Sequence, residues 1–176
     1  QGRARAPQRP AETRYPGVTG QSSVPRQAGD RRSAEERRIV LTFKSDVARY
    51  VRRGEPDRAE KRYHAMAARD LLTKSEAASA LERIAASYYY NGDDFKALVI
   101  AQLATTLDRE SEPEADWIAG LASWRRGDLE SALEHFDHVG RSAQASRWLA
   151  SAGHFWASRV ARRLGNGALA HNHLLK

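Results

Sequence analysis

Four glycines, Gly54, Gly92, Gly127 and Gly165, recur at intervals of 38, 35 and 38 residues, and five residues after each stands an alanine: Ala59, Ala97, Ala132 and Ala170. A packing-competent residue follows nine after each glycine, namely Tyr63, Ala101, Phe136 and Leu174. Upstream, Tyr50, Tyr88, Ser123 and Ala161 lie four before it, and Val47, Ala85, Gly120 and Ser158 seven before it. Repetition at this period is the mark of stacked supersecondary units. The unit is a helical hairpin. Glycine ends the first helix because it enters the left-handed conformation without Cβ strain. The alanine is small because two helix backbones approach each other there.

Local signals give the boundaries. Ser33 with Glu36, Thr73 with Glu76 and Ser111 with Glu114 have capping-box spacing and are expected to start the first helices of copies one to three. Asp57, Asp93 and Asp128 are expected to cap the second helices. Pro113 suits a first helical turn, where its missing N–H costs little. The resulting helices are 34–53 and 58–72, 74–91 and 94–108, 114–126 and 129–139, then 145–164 and 168–176. No useful stretch alternates with period two, so strands are not expected. Each hairpin leaves an apolar face open, which predicts an all-α chain, an α-solenoid of about four antiparallel hairpins spanning 33–176. A bundle of unrelated helices is the alternative.

The 176 residues carry a net charge of +7, and residues 1–32 hold seven Arg against two acids, a net +5. That segment also holds four of the six Pro and scarcely any large apolar side chain, so it reads as a disordered Arg- and Pro-rich tail. It is taken as a solvated linker; nucleic-acid binding through it would show affinity falling steeply with salt. With no Cys, disulfides, thiol nucleophiles and Cys-ligated metals are excluded. No apolar run reaches the ~18 residues of a membrane-spanning helix. The chain starts with Gln and lacks an apolar leader, which suggests processing. The last repeat stops without a polar closing helix, so the natural protein is expected to continue past Lys176.

The third and fourth copies carry a more particular pattern. DWIAGLASWRRGDLESALEHF, residues 116–136, is followed by SRWLASAGHFWASRVARRLGN, residues 146–166. This resembles the helical superhelix of periplasmic soluble lytic transglycosylases, a tetratricopeptide-like region preceding their catalytic domain. The matching residues are Trp117, Ala119, Gly120, Gly127, Asp128, Ala132, His135, Phe136, Phe155, Trp156 and Arg159. The match covers about 112–176, and residues 33–111 only as a generic repeat. The resemblance implies a periplasmic protein that cleaves peptidoglycan glycan strands through one Glu in a C-terminal lysozyme-like domain. This chain lacks that domain. Glu110-Ser111 copies the family's Glu-Ser dipeptide, yet no Gly-Leu-Met-Gln follows, so no catalytic residue is assigned.

Other chemistry is sparse. Glu110, Glu112, Glu114 and Asp116 fall in a polar loop and first turn, where they suit the helix dipole. His135 with His138, and His171 with His173, are too few for a metal site and are expected on the surface or between helices. No nucleophile elbow or phosphate loop is present, and no cofactor is expected. In tetratricopeptide-like solenoids the first helices line the concave face. Counting back from each glycine places Glu82, Ala86, Tyr89 and Tyr90 there, then Trp117, Leu121, Trp124 and Arg125, then Phe155, Arg159, Arg162 and Arg163. Tyr89, Tyr90, Trp117, Trp124, Arg125, Arg159 and Arg162 are the candidate glycan or peptide contacts, since aromatic rings stack on sugars and Arg holds carboxylates. Phe155 and Trp156 are expected to pack between hairpins. The expected function is therefore scaffold and substrate positioning in a murein-cleaving enzyme. Its rival is a free-standing tetratricopeptide-like adaptor that binds a partner protein or peptide in the groove.

Overall fold

The computed structural model describes residues 32–176, and the tail expected to be disordered lies outside the described residues. The described residues form eight helices and no strand: α1 (Ala34–Arg52), α2 (Pro56–Ala67), α3 (Lys74–Tyr90), α4 (Asp94–Asp108), α5 (Pro113–Arg126), α6 (Leu129–Arg141), α7 (Arg147–Arg163) and α8 (Gly167–Leu174). They belong to one compact unit, Arg31–Lys176. Each helix packs on the next in chain order, with α1 also against α3 and α3 against α5. No described helix is long and apolar enough to cross a membrane.

The glycine–alanine pair works as its spacing predicts. Gly54, Gly92, Gly127 and Gly165 have φ of +67°, +87°, +80° and +79°, the left-handed conformation that turns the chain out of a first helix. Ala59, Ala97, Ala132 and Ala170 are 0–3% exposed, so all four copies bury the same position. Two further glycines set the α6–α7 crossing. A Cβ on Gly153 would lie 2.6 Å from the Gly140 backbone nitrogen and 2.9 Å from the Phe136 carbonyl oxygen, so the two backbones touch.

Capping partly departs from expectation. Ser33–Glu36 and Thr73–Glu76 form reciprocal capping boxes, and Asp93, Asp128, Ser146 and Asn166 cap α4, α6, α7 and α8. Ser111 does not cap α5, nor does Asp57 cap α2. Pro56 and Pro113 open those helices, which makes Glu55 and Glu112 the N-caps, and neither makes a side-chain cap bond. Asp57 instead accepts hydrogen bonds from Lys96 Nζ (2.6 Å) and Tyr88 Oη (2.9 Å), tying the first hairpin to the second. α2 ends at Ala67 rather than residue 72, since Asp70 takes φ +53° and breaks the helical run. Glu76 does more than complete its capping box, because it also accepts from Arg32 and Lys44. Burial raises its carboxyl, but those bonds and the Thr73 N–H outweigh it and hold it at about 2.

Buried apolar residues form a larger cluster across the first two hairpins and α5 as far as Ala122, and a smaller one around Ala132, Phe136, Ala157 and Val160. Around the smaller cluster the rings interlock. Trp156 stacks on Phe136 (centroids 5.6 Å apart, planes at 29°) and meets Trp124 edge-on at 5.6 Å. Gly120 makes room for this, since a Cβ there would lie 2.8 Å from the Phe136 ring.

The two kinds of glycine predict different costs. Gly153→Val must separate two backbones and should lose at least about 2 kcal/mol by denaturant unfolding. Gly92→Ala meets nothing within 4 Å. It should lose only about 1 kcal/mol, from left-handed strain.

Candidate functional site

The residues expected on the inner face divide into two groups. Trp124, Phe155, Arg159, Arg162 and Arg163 line one open groove of about 550 Å³, shared with Leu174 of α8. Helical spacing explains the convergence: Phe155, Arg159, Arg162 and Arg163 fall at i, i+4, i+7 and i+8 on α7. The Arg163 guanidinium lies 5.0 Å from the Trp124 ring, and that of Arg159 lies 5.3 Å from Trp156 and 5.7 Å from Phe155. Phe155 corrects its expectation: it is 49% exposed and walls the groove, while Trp156 alone takes the packing role between hairpins. Among the described residues, no carboxylate lies within 4.0 Å of Arg159, Arg162 or Arg163, in contrast to Arg109, Arg125 and Arg141.

That lack of partners has a sequence origin. Residues 142–176 contain five Lys or Arg and no acid, a net +5, whereas 33–141 contain 17 basic and 20 acidic residues, a net −3. Balancing the folded part as a whole conceals this split, and a windowed count of charge would have found it.

The remaining candidates do not line the groove. Arg125 is engaged: its Nε donates to Asp94 (2.7 Å), its Nη2 donates to the Tyr89 carbonyl (2.9 Å), and its guanidinium lies 3.9 Å from the Tyr89 ring centroid. Tyr89 and Arg125 thus clamp α3 and the α4 start to α5. Tyr90 is 78% exposed and meets only the edge of Tyr89 in the aromatic framework. Trp117 is partly buried, edge-on to Phe136 at 5.5 Å and to Trp148 at 6.3 Å.

Asp116 lies in the first turn of α5, as expected, but is fully buried rather than set in polar surroundings. Arg109 donates to both its oxygens, Nε to Oδ2 at 3.0 Å and Nη2 to Oδ1 at 2.8 Å, and His135 Nδ1 donates to Oδ1 at 2.7 Å. His138 Nδ1 lies 2.9 Å from Oδ2 but out of line for a hydrogen bond. Burial pushes the Asp116 carboxyl up, yet the bonds from His135 and Arg109 prevail and hold it below the ordinary Asp range. The guanidinium fork occupies the carboxylate, and no group of three His, Asp or Glu among the described residues is arranged to hold a metal ion.

Two other titrating clusters stand apart from the groove. Burial, then the charges of Glu112 and Glu114, push the Glu82 carboxyl up to about 7 against the opposing pull of Arg83. Glu112 is raised too, by burial and by Glu114. On α8, His173 is 3% exposed and lies Nδ1 to Nδ1 3.3 Å from His154. Burial holds both imidazoles below their ordinary value, helped by Lys176 and Arg141 and, for His154, by His173. His135 and His173 are therefore interhelical, as anticipated, and His171 is exposed.

A scan against protein-family models finds no match to this chain, and a search of curated proteins finds none either.

Two outcomes follow for the polar clusters. Asp116→Ala strands Arg109 and His135 and should cost about 3 kcal/mol of unfolding free energy. Glu82 holds a proton when folded that it releases when unfolded between its ordinary 4.5 and about 7. Its contribution to stability therefore falls as pH rises through that window. Glu82→Gln should unfold later than the parent at about pH 8, with the advantage gone by about pH 4.5, read by thermal melts across pH.

Proposed function

We propose that residues 33–176 are the superhelical scaffold of a periplasmic peptidoglycan lytic transglycosylase, with the hairpins stacked as an α-solenoid that positions glycan strands or partners. In this reading, cleavage belongs to a separate lysozyme-like domain. The observation that carries it is the clustering of the residues behind the resemblance. Gly120, Phe136, Trp117 and Trp156 pack directly together, Gly127 turns the chain, Ala132 is buried, and His135 holds Asp116. Phe155 and Arg159, from the same pattern, open onto the groove. The pattern thus describes one physical junction of α5, α6 and α7. The groove's chemistry suits the polymer, because flat rings pack on sugar faces and guanidinium forks bind the free carboxylates of peptide stems.

Co-sedimentation with purified sacculi tests this. The parent chain should pellet with sacculi. A variant with Arg159, Arg162 and Arg163 all replaced by Ala should remain largely in the supernatant, and Tyr90→Ala should behave as the parent. A parent chain that never pellets overturns the cell-wall assignment.

A further inference from the structure

Three guanidinium groups on one face of α7 have no carboxylate partner among the described residues, and they adjoin an apolar wall formed by Trp124, Phe155 and Leu174. We infer that this groove is a carboxylate-binding site that takes the C-terminus of a peptide whose last side chain is apolar. The inference names ligand chemistry for the groove used in the proposed function, and it rests on that reading only for the polymer that would carry the peptide.

The arrangement favours a planar anion. Arg159 and Arg163 lie over aromatic rings at cation–π distance, and the planar fork of guanidinium N–H donors matches the two oxygens of a carboxylate. Ring contact also limits the side-chain freedom that binding would otherwise have to remove. Arg162 lies between them in sequence on the same face, with no hydrogen-bond partner among the described residues, so its donors are uncommitted. The acid-free stretch 142–176 supplies a local field that attracts an anion and offers no internal competitor.

The apolar half selects what is attached to the anion. A groove of about 550 Å³ accommodates a carboxylate together with one or two residues, and the exposed Phe155 ring, the half-buried Trp124 ring and Leu174 offer apolar surface to a side chain. A long polyanion fits poorly. Within residues 33–176 the net positive charge is confined to 142–176, and a nucleic-acid strand leaving the groove meets a net −3 over residues 33–141.

Tryptophan fluorescence or NMR titration of the full chain tests this with three probes: acetyl-Ala-Leu as the free acid, the same dipeptide as its C-terminal amide, and an oligothymidine. The free acid should bind saturably, shift the Trp124 indole resonance, and bind at least about tenfold more tightly than the amide, because charged hydrogen bonds are lost with the amide. Arg162→Gln should weaken the acid by a similar factor with an unchanged circular dichroism spectrum, and Arg162→Lys should recover part of it. Equal affinity for acid and amide, no binding of the acid, or oligothymidine preferred in the groove each overturns the site. Binding of the acid without retention on sacculi overturns the cell-wall reading and leaves the carboxylate site standing. Retention on sacculi without preference for the acid does the reverse.

Discussion

Two helices can bring their backbones into contact only where the side chain between them is no larger than a methyl group, and the rest of this structure depends on that contact. After each left-handed glycine, the chain returns along itself and closes on a fully or almost fully buried alanine. Where the approach is tighter still, at Gly140 and Gly153, even a methyl group is too large. Close backbones leave little room between helices for rings. The aromatics therefore gather where hairpins meet, Trp117, Trp124 and Trp156 around Phe136, and the outermost of them reach the surface. The groove is thus a by-product of how the core is closed: Trp124 and Phe155 flank the packed Trp156.

Most of the helix pattern was legible because it rests on local physics. A glycine that must adopt positive φ and an alanine that must be small leave marks at fixed spacing, and all eight helices follow from them. The misreadings arose where two local signals competed. Ser111 and Asp57 have capping chemistry, but Pro113 and Pro56 fix the first helical residue so that the N-cap falls one residue after Ser111 and two before Asp57. Proline, with its set φ and missing N–H, wins over a hydrogen bond of about 1 kcal/mol.

The site was legible in position and illegible in availability. Counting back from the glycines placed Trp124, Phe155, Arg159, Arg162 and Arg163 on one face, and the groove contains all five. The same count gave Arg125 equal standing with Arg162, although Arg125 is bound to Asp94, 31 residues earlier, and to the Tyr89 backbone. Asp116 is the clearest case. Its partners Arg109, His135 and His138 come from a loop and from α6, so its burial depends on the packing of α5 against α6, which no spacing rule encodes.

The handling of charge separates structural from available groups. Where ionic side chains are withdrawn from water, they are matched: Asp116 by Arg109, Glu76 by Arg32 and Lys44. Glu82, lacking such a match, titrates near neutrality instead. α7 follows neither course. It holds Arg159, Arg162 and Arg163 within two turns of one another, exposed, with no acid on the helix to relieve their repulsion. Two of them lie over rings at cation–π distance, which restrains the side chains and does nothing to neutralise them. Mutual repulsion of solvated charges is modest at physiological salt, so the arrangement is tolerated without adding to the stability of the fold. A restrained cluster of like charge beside an apolar wall gains most when an anion enters, and that gain is available only to a ligand from outside the described chain.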